Sequence, residues 1–346
     1  MQVDLVVAGA GAGGMTAALV AALEGLEVLL CEKSGQVGGT SATSAGTLWI
    51  PGNTQSRRAG FDDSADKARL YLERLVESAE RRELREAFLA SAPAAIDYLE
   101  ERSEVKFVPA GRHPDYRELP GAAEAGRGIV AKEFDARVLG PDFARVRPPI
   151  DEFMLLGGMM VAKPDLPALL GRYRSPANFA HTAKLVLRYA ADRLRYPRGT
   201  RLTMGNALVA RLFHSLRRKG VPILFDAPIE ALLQEHGRVA GVNVRQGSGT
   251  LEVHARKGVV LATGGYGQNP ALRAELMPLA AAAQARSMAH EGNTGDGLGL
   301  ARGVGAALAA GRSGGLWTPA SRTRRAGGSE GLYPHFLLDR AKPGLI

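Results

Sequence analysis

The sequence predicts an α/β fold, and three observations carry that reading. An apolar run at residues 3–8 leads into Gly9, Gly11 and Gly14, spaced G-x-G-x-x-G, with Gly13 as an extra glycine. An Ala/Leu-rich stretch to about Gly25 and a second apolar run at 27–31 follow, and that run ends in Glu32. Much later the period changes: residues 221–226, 229–234, 239–245, 251–255 and 259–262 all read as short strands. Strand, glycine turn, helix, strand and terminal acid in one unit predict a Rossmann-like dinucleotide-binding domain, closed by a β-meander.

Each element has a physical reason. One glycine permits the tight turn, another lets backbone approach a pyrophosphate, and the last lets helix pack on strand. The helix N-terminus offers free N–H groups and a positive dipole end. Glu32 is placed to accept hydrogen bonds from a ribose. A Gly/Ser/Thr-rich loop spans 34–47. Residues 62–104 read as helix, with Asp62, Asp63 and Ser64 as capping residues and Leu70, Leu72 and Leu75 at helical spacing. Residues 105–180 are irregular, rich in Gly, Pro and Arg. Helices follow at 181–196, stopped by Pro197, and at 206–219, stopped by Gly220 and Pro222. His236-Gly237-Arg238 and Gly247-Ser248-Gly249 supply the meander's turns.

Composition excludes several classes. The 346 residues suffice for two domains. The single cysteine, Cys31, excludes an internal disulfide framework, fits a reducing compartment and reads as a small buried residue. The seven histidines form no H-x-x-x-H pair, and no metal site is expected. Net charge is +9, mainly from arginine, in pairs such as Arg217-Arg218 that read as solvated faces. Aromatics are 6% of residues and do not interleave with the basic ones, so nucleic-acid binding is not expected. The apolar run from Met15 to Leu30 carries Glu24 and Glu27, so no stable membrane insertion is expected. The first strand leaves no room for a signal peptide, and a cytoplasmic protein is the expectation.

Three further segments narrow the cofactor. They are residues 32–53, ending Gly38-Gly39-Thr40-Ser41-Ala42-Thr43-Ser44-Ala45-Gly46-Thr47-Leu48-Trp49-Ile50-Pro51-Gly52-Asn53, then Gly258-Val259-Val260-Leu261-Ala262-Thr263-Gly264-Gly265-Tyr266, and Gly292-Asn293-Thr294-Gly295-Asp296-Gly297. Together they resemble the fumarate reductase and succinate dehydrogenase flavoprotein superfamily. The first, with the segment from His113 to Gly121, resembles its 3-ketosteroid Δ1-dehydrogenase branch. The resemblance implies FAD, contacted by Gly9, Gly11, Gly13, Gly14, Glu32, Lys33, Gly39, Thr40, Ser41, Ser44, Ala45, Gly46, Ala227, Ala262, Thr263, Gly264 and Asp296. Relatives that tether flavin do so through a histidine in the first loop. Here that region reads Gly39-Thr40-Ser41, so noncovalent FAD is expected.

The resemblance also implies a domain plan and a reaction. FAD-binding residues would span 1–278, with a helical insertion at about 54–200, and 279–346 would begin an α+β substrate domain that looks truncated. The reaction would introduce a C=C bond next to the ketone of a steroid-like small molecule. A base takes the α proton, flavin N5 takes the β hydrogen as hydride, and the electron acceptor is unspecified. Tyr116 is the candidate catalytic residue, in a supporting role, and Trp317 is a candidate pocket residue. His290 and His335 could hold a carboxylate in the rival fumarate reductase-like reading, although each alone in a loop reads as structural or solvated. Asp296 could also cap a helix. A further rival is a flavin-binding fragment without turnover, and little turnover is expected of residues 1–346 alone.

Overall fold

Strands β1 (Gln2–Ala8) and β2 (Val28–Cys31) pair in parallel, from Leu5 with Val28 to Ala8 with Cys31, and helix α1 (Ala12–Leu23) connects them. Both strands are apolar through most of their length because both faces of the sheet are covered. The structure, a computed structural model, describes residues 1–76, 81–277, 285–308, 320–325 and 327–334. Trp317 and His335 lie outside the described residues.

The main sheet has six strands, ordered Ile223–Leu224, β2, β1, Gly249–Leu261, Arg238–Gln246 and Ile229–Glu235. The first four are mutually parallel, and the meander adds the antiparallel edge. The expected strands at 251–255 and 259–262 are one strand. It pairs with Arg238–Gln246 as far as His254, and with β1 from His254 onward. A bulge interrupts its pairing with β1, since Val3 faces Ala255 but Leu5 faces Gly258. His236 and Gly237 both take positive φ, which makes their turn a two-residue hairpin of the twist-matching kind.

Alternation sorts the sheet's side chains. Val7 and Leu30 face the larger core, packed by α1 and the helix Met204–Arg218, whereas Val6 and Leu29 face a smaller core with Val242 and Val253. Burying each such side chain contributes roughly 1.5–3 kcal/mol. Burial also pushes the Cys31 thiol up to about 12, which leaves it protonated and inert.

Between β2 and Ile223–Leu224 the chain leaves the sheet. The expected helix at 62–104 is two helices, Ala65–Leu75 and Arg82–Arg102. Ser64 caps the first, its Oγ accepting from Lys67 N. The helix expected at 181–196 starts earlier, as Pro176–Arg193, because Ser175 caps it and Pro176 occupies its first turn. Not all the arginine excess is solvated. Arg211 donates to the carbonyls of Lys132, Glu104 and Glu133 at 2.6–2.7 Å. Arg198 is buried against Phe143, and burial lowers its guanidinium to about 10. These cations satisfy carbonyls in the segments that lack regular ladders.

Candidate functional site

The glycine turn, β2 and the end of the Gly249–Leu261 strand form one wall of a cleft of about 780 Å³. The turn is built as the spacing requires. Gly9 has φ +100, and a Cβ there would sit 2.5 Å from Ala262 O. A Cβ on Gly14 would sit 1.9 Å from Gly9 O, so this glycine sets how closely α1 approaches the turn. Gly11 and Gly13 face the cleft, where a Cβ would meet nothing nearer than Ser41 Oγ at 3.9 Å.

Glu32 holds this wall together. One carboxylate oxygen accepts from Ala10 N at 2.8 Å, and the other accepts from Ser34 N and Ser34 Oγ, both at 2.9 Å. The second wall comes from the short helix α2 (Gly39–Ala42) and from residues 290–296. Ser41 Oγ accepts from Ala12 N at 3.2 Å, and Thr40 Oγ1 accepts from His290 N at 3.0 Å and from Asn293 Nδ2. Thr263 Oγ1 accepts from Gly297 N at 3.0 Å.

Of the seventeen FAD contacts that the resemblance implies, the structure brings thirteen to this cleft: Gly9, Gly11, Gly13, Glu32, Lys33, Gly39, Thr40, Ser41, Ala227, Ala262, Thr263, Gly264 and Asp296; His290 joins them. Gly14, Ser44, Ala45 and Gly46 do not line it. Ser44 and Gly46 seat the loop on the Met204–Arg218 helix instead. Ser44 O accepts from Gly205 N, and a Cβ on Gly46 would lie 2.4 Å from that same nitrogen. Ala45 is buried beside them.

Asp296 is not the cap of its helix. Gly295 occupies that position with φ 88, and Asp296 is the first residue of Asp296–Gly303. Burial raises the Asp296 carboxyl, but hydrogen bonds from Lys33 Nζ at 2.6 Å and from Thr294 Oγ1 at 2.5 Å outweigh it, and the net shift is downward. A carboxyl lowered on folding stabilises above its unfolded value of about 3.9, and the contribution is lost as pH falls through the folded value. Both side chains are about a third exposed, so Lys33→Met is expected to cost about 1 kcal/mol or less at pH 7. Thermal melts across pH check this, with parent and variant converging below the ordinary carboxylate range.

Tyr116 is 64% exposed and lines neither this cleft nor the one beside it. The buried member of its segment is Asp115, which accepts from Trp49 Nε1 at 2.7 Å and from Arg127. Asn53, at the end of the loop motif, is fully buried and bonds Ile50 O, Gly126 O and Ser56 N. These family-like segments include scaffold as well as cleft.

The residue that sequence reasoning missed is Arg147. Its Nη2 donates to Ser34 Oγ at 3.0 Å, while its Nε is buried with no hydrogen-bond partner. Burial lowers the guanidinium, and the carboxylates of Glu32 and Glu291 work against that shift. Its backbone is pinned, with N donating to Val37 O and O accepting from Asn206 Nδ2 at 2.7 Å. The readable signal was Arg147-Pro148-Pro149, a stiff extended stretch carrying one cation. Burial and the Arg147 charge together lower His290, so its imidazole is neutral at pH 7. Arg147, His290 and Glu291 also border a second cleft of about 760 Å³, reached by Ile150, Met288 and Leu332.

A family model described as FAD binding domain matches residues 4–346. The chain belongs to this FAD-binding family. It is 35% identical over 346 residues to 4-oxocyclohex-2-ene-1-carboxylate 5-dehydrogenase of Sinomonas cyclohexanicum, covering 99% of this chain and 58% of that protein. It is 34% identical over 317 residues to 3-oxosteroid 1-dehydrogenase of Mycolicibacterium smegmatis, covering 89% and 54%. The crystal structure of 3-ketosteroid Δ1-dehydrogenase from Sterolibacterium denitrificans with 1,4-androstadiene-3,17-dione superposes with a TM-score of 0.81 at 35% identity, covering 95% of this chain and 58% of that one. The FAD-binding chain thus spans a little over half the length of these relatives.

The cleft suits FAD on its own chemistry. Gly11 and Gly13 leave room at a helix N-terminus, and Arg147 brings a buried donor without a partner. An anionic diphosphate supplies acceptors for both.

Proposed function

We propose that this chain is the cofactor-binding part of an FAD-dependent dehydrogenase that desaturates a cyclic ketone beside its carbonyl. The observation that carries the proposal is the pair of clefts sharing Arg147, His290 and Glu291 as a common wall. The first suits FAD, and the second has the size of a small-molecule site, with Ile150, Met288 and Leu332 set among the charged side chains of Arg273, Arg286, Arg325 and Glu330. The likeness to dehydrogenases of cyclic ketones over 89–99% of the chain supports the same reading. Bound FAD would supply the hydride acceptor. This chain's residues would hold it: the turn from Gly9 to Gly13 and Arg147 at the diphosphate, and Glu32 at a ribose. His290, neutral and half-buried, would separate the cofactor from the second cleft without adding charge.

The test is anaerobic addition of androstenedione or 4-oxocyclohexanecarboxylate to FAD-loaded protein, with succinate as comparison. A cyclic ketone should bind and shift the flavin's visible band while succinate leaves it unchanged, with little bleaching because residues 1–346 alone are expected to turn over slowly. The reverse order would assign dicarboxylate chemistry.

We further infer that FAD is held noncovalently, because residues 39–41 offer no histidine. Acid precipitation is expected to release all flavin into the supernatant. Flavin left on the pellet would overturn this. Its loss from the pellet in His290→Ala would then identify His290 as the tether, since that side chain reaches the cleft.

A further inference from the structure

The helix Pro176–Arg193 is amphipathic in the reverse of the usual sense. Its inward side makes polar contacts. Asn178 Nδ2 donates to Gly171 O at 3.0 Å, Tyr189 Oη donates to Leu156 O at 2.8 Å, and buried Asp192 accepts from Thr200 N and Oγ1. The apolar side chains Phe179, Ala183, Val186, Leu187, Ala190 and Leu194 recur at i, i+4, i+7, i+8, i+11 and i+15, so they share one stripe. That stripe faces outward: Phe179 is 57% exposed, Leu187 69% and Leu194 86%. Leu170 and Tyr173, just before the helix, are 80% and 81% exposed and extend the apolar surface.

The charge around the stripe is one-sided. Residues 166–201 hold eight Lys and Arg against one acid, Asp192, which is buried. Arg188 and Arg201 are paired with acids elsewhere, and Arg198 is buried. The remaining five, Arg172, Arg174, Lys184, Arg193 and Arg195, are exposed. An exposed apolar stripe flanked by unopposed cations matches a surface that is apolar below and anionic above. A protein partner would have to bury these cations against matching acids, whereas an anionic bilayer lets the long side chains reach headgroups while the stripe enters the acyl boundary.

We propose that Pro176–Arg193, with Leu170 and Tyr173, docks this protein on the surface of an anionic phospholipid bilayer. The helix lies on the bilayer and does not cross it; no described helix is long and apolar enough to span one. The inference is independent of the chemistry proposed above, because none of these residues lines the FAD cleft.

Co-sedimentation of the 346-residue chain with phosphatidylcholine vesicles, with and without phosphatidylglycerol, tests it. The protein is expected to sediment with the anionic vesicles, to remain in solution with pure phosphatidylcholine, and to be released by high salt. The triple variant Phe179→Ser/Leu187→Ser/Leu194→Ser and the triple variant Arg172→Glu/Lys184→Glu/Arg193→Glu should each lower partitioning by about tenfold or more. Their melting temperatures should match the parent's, since every altered side chain is exposed. Equal sedimentation with both vesicle types, or unchanged partitioning in either variant, overturns the proposal. So does a protein that ignores vesicles but dimerises by light scattering and becomes monomeric in the serine variant, which would assign the face to a second copy.

Discussion

Gly11→Val is expected to fold as the parent does and to bind FAD about a thousandfold more weakly, or worse. The fold should survive because Gly11 has φ −74 and ψ 179, which valine adopts freely, and because its Cβ would meet only Ser41 Oγ at 3.9 Å. Gly11 also precedes the first turn of α1 and, lacking a side chain, has no capping bond to lose. Binding should fail because the branched side chain would fill the space in front of the α1 N–H groups. Two hydrogen bonds to a charged diphosphate are worth about 1.5–3 kcal/mol each, and 1.4 kcal/mol is a factor of ten. Equilibrium dialysis against FAD, with a thermal melt of the apoprotein, separates the two effects.

The neighbouring glycines should behave differently. Gly9→Val and Gly14→Val place a Cβ 2.5 Å and 1.9 Å from backbone oxygen, and should damage the fold itself. Unchanged FAD affinity in Gly11→Val would remove the cofactor from this turn. Glu32→Ala should also exceed a simple ribose contact in cost, because the carboxylate accepts from Ala10 N and fixes the turn's geometry.

What was legible in the sequence was local. The βαβ unit announces itself within thirty-three residues, because strand, turn, helix and acid are neighbours in the chain. The meander was legible for the same reason, although its last two runs hid one strand continued across a bulge. Arg147 was not legible, because its place depends on Val37, Ser34 and Asn206, distant in sequence and joined only by folding. The segment around Tyr116 was legible only as a segment: Tyr116 is exposed while the side chain of Asp115 is buried, and without a regular period nothing in the chain says which residue points inward. The early start of Pro176–Arg193 was readable from Ser175-Pro176, a signal masked by the irregular composition before it.

Arg127→Met is expected to destabilise the protein by about 3–5 kcal/mol, the usual cost of removing one partner from a buried ionic network. Arg127 is 1% exposed, and its guanidinium is divided among Asp63 at 3.0 Å, Asp115 at 2.5 Å and Gly121 O at 2.7 Å. The rings of Trp49 and Tyr71 lie 5.6 Å and 5.7 Å from its centre. Methionine fills much of the volume, so the loss is not mainly a cavity. It is two carboxylates, each 3% exposed, left without their cation. Arg127→Lys keeps the charge but cannot reach three acceptors with a planar fork, so it should recover only part of the loss. Denaturant unfolding measures both, as a lower midpoint at unchanged slope. A loss under about 1 kcal/mol in Arg127→Met would mean the triad does not hold this region. FAD affinity of the folded fraction should stay at the parent value, because no member of the triad lines the cleft. That contrast with Gly11→Val, stable but unable to bind, separates residues that hold the scaffold from those that hold the cofactor.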